Sequence, residues 1–110
     1  MRMLIVAAVA ACATPEEGAH EARLARGRDL AAAQCAVCHA IARTGDSPRR
    51  DAPPFRRLSR NYRVADLEEA LAEGISVGHP AMPQFAFAPE DVDALIGYLQ
   101  SIQEAPREGE

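Results

Sequence analysis

The feature that most limits how this chain can fold is the six-residue stretch QCAVCH at positions 34–39. It contains two of the three cysteines, Cys35 and Cys38, and it ends in His39. In a helical turn this spacing brings both sulfur atoms to the same side, because residues three apart are neighbours on a helix. One bound group can therefore reach both thiols and the imidazole, and the rest of the chain has to fold around it.

Four kinds of site use cysteines at this spacing, and the surrounding sequence argues against three of them. A structural zinc site needs four ligands, and Cys12 is the one further cysteine in the chain. A redox-active dithiol lies at a helix N-terminus after a strand, whereas a helical run precedes this motif. A disulfide suits an exported protein, but it gives the adjacent His39 no role.

Covalent attachment of haem, the fourth possibility, uses all three side chains. The thiols of Cys35 and Cys38 add to the two vinyl groups of haem, and His39 then lies under the iron as its proximal ligand. We therefore interpret the stretch as a haem c attachment motif.

The composition is consistent with a small domain that needs such a cofactor. Aromatic residues make up 5% of the chain and Trp is absent. A domain of roughly 90 residues buries only about 60–65% of its unfolded-chain surface, so a large apolar group would supply part of the core. Ala and Leu predominate, which favours helices over strands.

The N-terminal residues predict export of the protein from the cytoplasm. Arg2 followed by the apolar run 4–11 is typical of a secretory signal, and the run is too short to cross a bilayer, which takes about 20 apolar residues. Two endings are open, because residues 11–13 resemble a cleavage site before Thr14 and residues 9–12 resemble a bacterial lipobox. We favour the lipobox, in which Cys12 is lipidated, because it gives the third cysteine a role.

The predicted organisation is therefore a signal peptide at 1–11, a linker at 12–18, a folded domain at 19–103 and a polar tail at 104–110. The expected location is periplasmic, with membrane anchoring as a lipoprotein if Cys12 carries lipid.

Three helices are predicted from hydrophobic periodicity and from turn signals. They run from Ala19 to about Cys38, from Val64 to about Glu73 with Gly74 as C-cap, and from Pro89 to about Gln103. The segments 44–54 and 78–89 each contain three prolines and are expected as loops. No strand is predicted, so the expected fold class is all-α.

The buried faces of the first and last helices follow from the same periodicity. Inner positions of the first helix are expected at Ala22, Leu24, Ala25, Leu30 and Ala33. The apolar stripe of the last helix is expected at Val92, Leu95, Ile96, Leu99 and Ile102. Gly27 lies inside the first helix, where glycine costs about 1 kcal/mol relative to Ala, and this predicts close approach by another element.

The sixth ligand of the iron decides between electron transfer and small-molecule chemistry. His20, His79 and Met82 are the candidates outside the motif. His20 is expected as a solvated residue near the linker. Met82 is favoured over His79, because a thioether stabilises ferrous iron and the flanking prolines stiffen a loop that can bring it to the haem.

With these motifs in place, the chain resembles the small class I cytochromes c of bacteria from about Gly27 to Ile102. The order of features is the same: a glycine in the first helix, the attachment motif, a proline loop, a methionine–proline pair and a final helix. The resemblance implies three to five short helices around a covalently bound haem. It also implies that Gly27 meets Gly97 and Tyr98 where the first and last helices cross.

The resemblance further implies a second contact to the proximal imidazole, from a backbone carbonyl in the proline loop. Pro53 is the closer match to that position and Pro54 is the alternative. The chain departs from the family at Leu30, where an aromatic residue is common, and this predicts a looser helix crossing.

The predicted function is one-electron transfer on one haem c, in an exported respiratory or dehydrogenase-linked chain, with no substrate transformed. Its partners would be redox proteins and not nucleic acid, and membrane contact would occur only through Cys12. The alternatives are a haem enzyme or gas sensor with a labile sixth site, and a cytochrome subunit permanently docked to an oxidoreductase. The arginines between positions 43 and 63 are either a docking face for an acidic partner or a solvated loop. The expected apolar sheath comprises Phe55, Leu58, Leu71, Phe85, Leu95 and Leu99.

Overall fold

The computed structural model describes residues 2–5, 14–74 and 81–105. Within them lie three α-helices: α1 at Pro15–Gln34, α2 at Leu67–Glu73 and α3 at Pro89–Ser101. Two 3₁₀ helices lie between α1 and α2, the first at Phe55–Arg60 and the second at Val64–Asp66. The described residues contain no strand, and the predicted all-α fold class is confirmed.

Helix α1 begins four residues before the expected start at Ala19. The Oγ1 atom of Thr14 accepts a hydrogen bond from the Glu17 backbone at 3.2 Å, and the Glu17 carboxylate accepts one from the Thr14 backbone at 3.2 Å. This reciprocal capping box, with Pro15 at the first helical position, fixes the start of the helix. Residues 15–18, expected as linker, therefore form its first turn.

The end of α1 also differs from the expectation. The helix stops at Gln34, and the attachment motif itself forms a separate turn in which Cys38 and His39 donate backbone hydrogen bonds to the carbonyl oxygen of Cys35. The two cysteines and the histidine of the motif therefore lie beyond the last residue of α1.

Helices α1 and α3 cross at Gly27. A Cβ atom on Gly27 would lie 2.7 Å from the Cβ atom of Tyr98 and nearer still to the backbone carbonyl of Ala94. The expected contact with Tyr98 is present, and a Cβ atom on Gly97 would lie nearest to the Arg23 side chain, at 3.3 Å. Two ion pairs between the helices flank the crossing: Arg23 with Asp93 and Arg26 with Asp91.

Helix α3 contributes the largest share of the core. All five expected stripe positions are buried: Val92, Leu95, Ile96, Leu99 and Ile102. The prediction for α1 is partly wrong, because Ala22 and Ala33 are exposed while Gly27 and Ala31 are the buried positions. The buried positions of α1 are therefore Gly27 and, one turn later, Ala31, and they do not follow the full apolar pattern.

Helix α2 ends as expected at Gly74, which adopts a left-handed conformation with φ 75°. The segment that follows Met82 is tied to this helix, because Phe87 donates a backbone hydrogen bond to the carbonyl of Leu71 at 2.9 Å. In the described ranges no helix combines the length and the apolar character needed to span a bilayer.

Candidate functional site

A cavity of about 370 Å³ opens beside the attachment motif. Its walls come from α2, α3, the first 3₁₀ helix and the Met82 segment, and its volume lies in the range of cofactor sites. All six residues expected in the apolar sheath line it: Phe55, Leu58, Leu71, Phe85, Leu95 and Leu99. The cavity is therefore an apolar space with the two thiols and the imidazole of the motif in its wall.

The imidazole of His39 is held on two sides. Its Nδ1 atom lies 2.8 Å from the carbonyl oxygen of Pro53, and its ring centroid lies 4.9 Å from that of Phe55 with the planes tilted by 42°. The carbonyl can only accept, so Nδ1 carries the proton and Nε2 is left with a free lone pair for a metal. Pro53 and not Pro54 supplies this carbonyl.

The proline loop reaches the imidazole because backbone bonds tie it to the motif. Arg49 donates a backbone hydrogen bond to the carbonyl of Cys38 at 3.1 Å, and Phe55 donates one to the carbonyl of Ala40 at 2.9 Å. The side-chain oxygen of Ser47 accepts one from the Ala40 backbone at 3.0 Å. These bonds hold both ends of the loop, and the prolines between them stiffen the backbone.

The two motif cysteines both line the cavity, and both are half-buried. They are not joined to each other by a disulfide. Burial raises the pKa of the Cys35 thiol to about 11, so this thiol is neutral near pH 7 when it is unmodified. In the parts of the chain that the structure describes, no group of three or more His, Cys, Asp or Glu side chains comes together as a metal cluster.

Of the three candidates for the sixth ligand, the structure brings Met82 to the site. Met82 is half-buried and lines the same cavity as His39, between Ala81 and Pro83. His20 is exposed on the first half of α1 and does not line the cavity. His79 lies outside the described residues, as does Cys12.

The arginines between positions 43 and 63 do not all lie on the surface. Arg56 is buried, and its guanidinium donates to the carbonyl of Gly45 at 2.7 Å and pairs with Glu104 at 3.4 Å. Arg57 and Arg60 pair with the same carboxylate at 3.4 Å and 3.3 Å. Because it is buried, Arg56 cannot belong to a docking face. Arg57 and Arg60 hold the carboxylate of Glu104, the residue that follows Gln103.

Several residues near the site carried no signal in the sequence. Arg49 and Asp51 form an ion pair at 2.6 Å and both line the cavity. The hydroxyl of Tyr98 donates to the carbonyl of Ile41 at 2.6 Å, which ties α3 to the segment after the motif. Gln103 donates to the backbone of the first 3₁₀ helix. These contacts join distant parts of the chain, so no local pattern predicts them.

Comparison with known proteins covers the same region. The family model described as Cytochrome c matches residues 24–103. Cytochrome c-552 of Bradyrhizobium diazoefficiens is 30% identical over 95 residues, which cover 86% of this chain and 89% of that protein. No solved structure gives a significant match. Every residue that lines the cavity lies within the matched range.

Proposed function

The chain belongs to the cytochrome c family, and we propose that it carries one electron on a haem c held by Cys35 and Cys38 and ligated by His39 and Met82. Proteins of this family bind haem c covalently. The observation that carries the proposal is that both thiols, the imidazole and the thioether belong to residues that line one cavity.

The residues present fit this cofactor. The cavity is lined mainly by apolar side chains, and no buried side-chain nitrogen or oxygen among the described residues lacks a hydrogen-bond partner. The charged side chains of Arg49 and Asp51 in the lining pair with each other, so the lining suits a large apolar ligand. The two thiols lie one helical turn apart in the wall, as attachment to two vinyl groups requires.

When bound, haem c supplies an iron that gains or loses one electron without transfer of a group to or from a substrate. The chain's own residues determine how easily this happens. His39 offers Nε2, and its basicity is increased by the Pro53 carbonyl that accepts the Nδ1 proton. The thioether of Met82 favours the ferrous state and raises the reduction potential.

The structure around these side chains favours rapid exchange of electrons. His39 is fixed by a hydrogen bond and a ring contact, and the cavity wall comes from helices packed on the core. A fixed proximal ligand and an apolar wall leave little to rearrange when the charge changes. This is a property that a carrier requires.

We place the protein outside the cytoplasm, and we propose donor and acceptor proteins as its partners. The basis for export is the charged and apolar start of the chain and its covalent haem motif. Lipidation of Cys12 is part of the same proposal, as is service in a respiratory or dehydrogenase-linked chain.

The visible spectrum of the protein, matured in a host that assembles haem c, tests the ligand pair. We expect a low-spin spectrum with a weak long-wavelength band from sulfur to ferric iron. This band should be lost in Met82→Ala and retained in Met3→Ala, because Met3 lies in the predicted signal peptide. A high-spin native spectrum, or a band that survives in Met82→Ala, would show that Met82 is not the ligand.

Carbon monoxide tests the rival in which the sixth position is labile. We expect slow or weak binding to the ferrous native protein and rapid binding to Met82→Ala. Equally rapid binding to both proteins would indicate an open site of the kind found in haem enzymes and gas sensors.

A further inference from the structure

The side chain of Gln103, two residues after the end of α3, uses both ends of its amide group. Its Nε2 atom donates to the carbonyl oxygens of Phe55 at 2.7 Å and Leu99 at 2.8 Å. Its Oε1 atom accepts from the backbone N–H of Ser59 at 2.9 Å. Both amide protons and the carbonyl oxygen therefore have partners, and two of the three partners belong to the first 3₁₀ helix.

This 3₁₀ helix needs external support. Its hydrogen bonds have poorer geometry than those of an α-helix, and no side chain caps its start at Pro54. Gln103 contacts it near both ends, at Phe55 and Ser59. The next residue adds a backbone bond, because the N–H of Glu104 donates to the carbonyl of Arg56 at 2.7 Å.

The helix that Gln103 holds provides one of the two contacts of the proximal imidazole, and the other comes from the residues directly before it. The ring of Phe55 lies against His39, and the carbonyl that accepts the Nδ1 proton belongs to Pro53, two residues before Phe55. Movement of the Phe55 backbone would therefore change both contacts together. Gln103 itself does not line the cavity, so it acts on the imidazole only through this backbone.

We propose that Gln103 is a positioning residue for the haem: by fixing the Phe55 backbone it holds the Pro53 carbonyl against His39 and thereby sets the reduction potential. This inference rests on the proposed function, in which His39 ligates the iron. A strong bond from Nδ1 makes the imidazole a better electron donor, and a better donor stabilises ferric iron. Loss of the Gln103 contacts should therefore shift the reduction potential upward.

The test compares Gln103→Met with Gln100→Met in the haem-loaded protein. Methionine keeps the length and much of the volume of glutamine but cannot make the three bonds. Gln100 lies on the exposed face of α3, so its variant is a matched control. The readouts are the reduction potential and the hydrogen-exchange rates of the His39 Nδ1 proton and the Ser59 amide, measured by NMR in the ferrous state.

We expect both protons of Gln103→Met to exchange about tenfold faster, the factor expected for loss of one hydrogen bond, together with a positive shift of the potential. Gln100→Met should match the native protein in all three readouts. Val92→Ala separates positioning from general loss of stability, since Val92 is buried in the core but does not line the cavity. It should lower the melting temperature and leave the potential unchanged.

An unchanged potential and Nδ1 exchange rate in Gln103→Met would overturn the inference, and so would an equal shift in Val92→Ala. If Gln103→Met does not fold, Gln103→Glu replaces it, because a carboxylate still accepts from Ser59 but cannot donate to Phe55. The potential should then rise while the Ser59 amide stays protected, and an unchanged potential would again overturn the inference.

Failure of the proposed function would look different. Imidazole protons of a ligating His39 are strongly shifted by the ring current of the haem. If the native protein lacks these shifted signals, His39 is not the ligand. If they are present and do not respond to Gln103→Met, only the role of Gln103 is wrong.

Discussion

The Nδ1 atom of His39 and the carbonyl oxygen of Pro53 lie 2.8 Å apart although fourteen positions separate the two residues in the chain. The bond closes the proline-rich loop onto the attachment motif and fixes which ring nitrogen carries the proton. The loop therefore acts on His39 through its backbone, and the Ser47 side chain helps to hold the loop in place.

Gly27→Ala should destabilise the protein. The added Cβ would meet the backbone carbonyl of Ala94, which cannot rotate away, so the α1–α3 crossing must open at a cost of about 1–3 kcal/mol. Urea unfolding of the haem-loaded protein measures this. Gly18→Ala is the control, because no atom outside its own helix turn lies within 4 Å of that position, and it should raise stability by about 0.5–1 kcal/mol. A Gly27→Ala protein as stable as the native one would show that the crossing is looser than described.

Tyr98→Phe should lower the free energy of unfolding by about 1 kcal/mol. The change removes the hydroxyl that donates to the Ile41 carbonyl at 2.6 Å and leaves that carbonyl without this donor. Tyr62→Phe is the matched control, because Tyr62 is 45% exposed and water can solvate the groups around its hydroxyl. Thermal melts of the two variants should separate them, and equal melting temperatures would contradict the role given to the Tyr98 hydroxyl.

Protonation of Glu104 should lower the stability of the folded protein at acidic pH. Burial opposes ionisation of this carboxyl, but the hydrogen bond from Arg57 and the charges of Arg57, Arg56 and Arg60 outweigh it and lower its pKa from the usual 4.5. A carboxyl with a lowered pKa in the folded state contributes stability above its unfolded pKa and loses it as pH falls through the folded value. Stability should therefore decline as pH falls below about 4.5.

Glu104→Gln should flatten that decline, as measured by melting temperature between pH 6 and pH 3, because a neutral amide has no proton to gain. Glu68→Gln, on the exposed face of α2, should keep the native pH profile. If both variants retain the same slope, other carboxyls are responsible for the acid sensitivity.

Replacing both motif cysteines should abolish covalent attachment of haem. In the Cys35→Ala, Cys38→Ala double variant no thiol remains in the cavity wall, so haem that is bound should be removed by acidic organic solvent. The native protein should keep its haem through the same extraction and through a denaturing gel. Cys12→Ala is the control and should also keep its haem, whereas release from it would mean that a thiol outside the motif forms one of the bonds.

The features that could be predicted from the sequence are those that depend on the spacing of residues close together in the chain. The attachment motif and the α3 stripe are short patterns with a chemical or helical period, and the structure places the motif in the cavity wall and the stripe in the core. The start of α1 was predicted four residues late although the capping signal was present, with Thr14 followed three residues later by Glu17. A linker is expected there because the segment follows the predicted signal peptide.

The close approach of Gly27 to Ala94 and the role of Gln103 could not be predicted in the same way. Which backbone carbonyl of α3 faces Gly27 depends on how the two helices are rotated against each other. The bonds of Gln103 join the end of α3 to residues 48 and 44 positions earlier in the chain. Such contacts depend on the tertiary fold, and an exposed-looking glutamine after a helix gives no indication of them.

The capping box that starts α1 has a consequence for where electrons can be delivered. The helix is 20 residues long, about 30 Å at 1.5 Å per residue, and the attachment motif follows its last residue. If Cys12 carries lipid, the two residues before Pro15 provide a tether of only about 7 Å. An anchored domain would then be confined close to the membrane, with α1 as a rigid spacer between the anchor and the haem. Its orientation would decide the height at which a partner has to present its own redox centre.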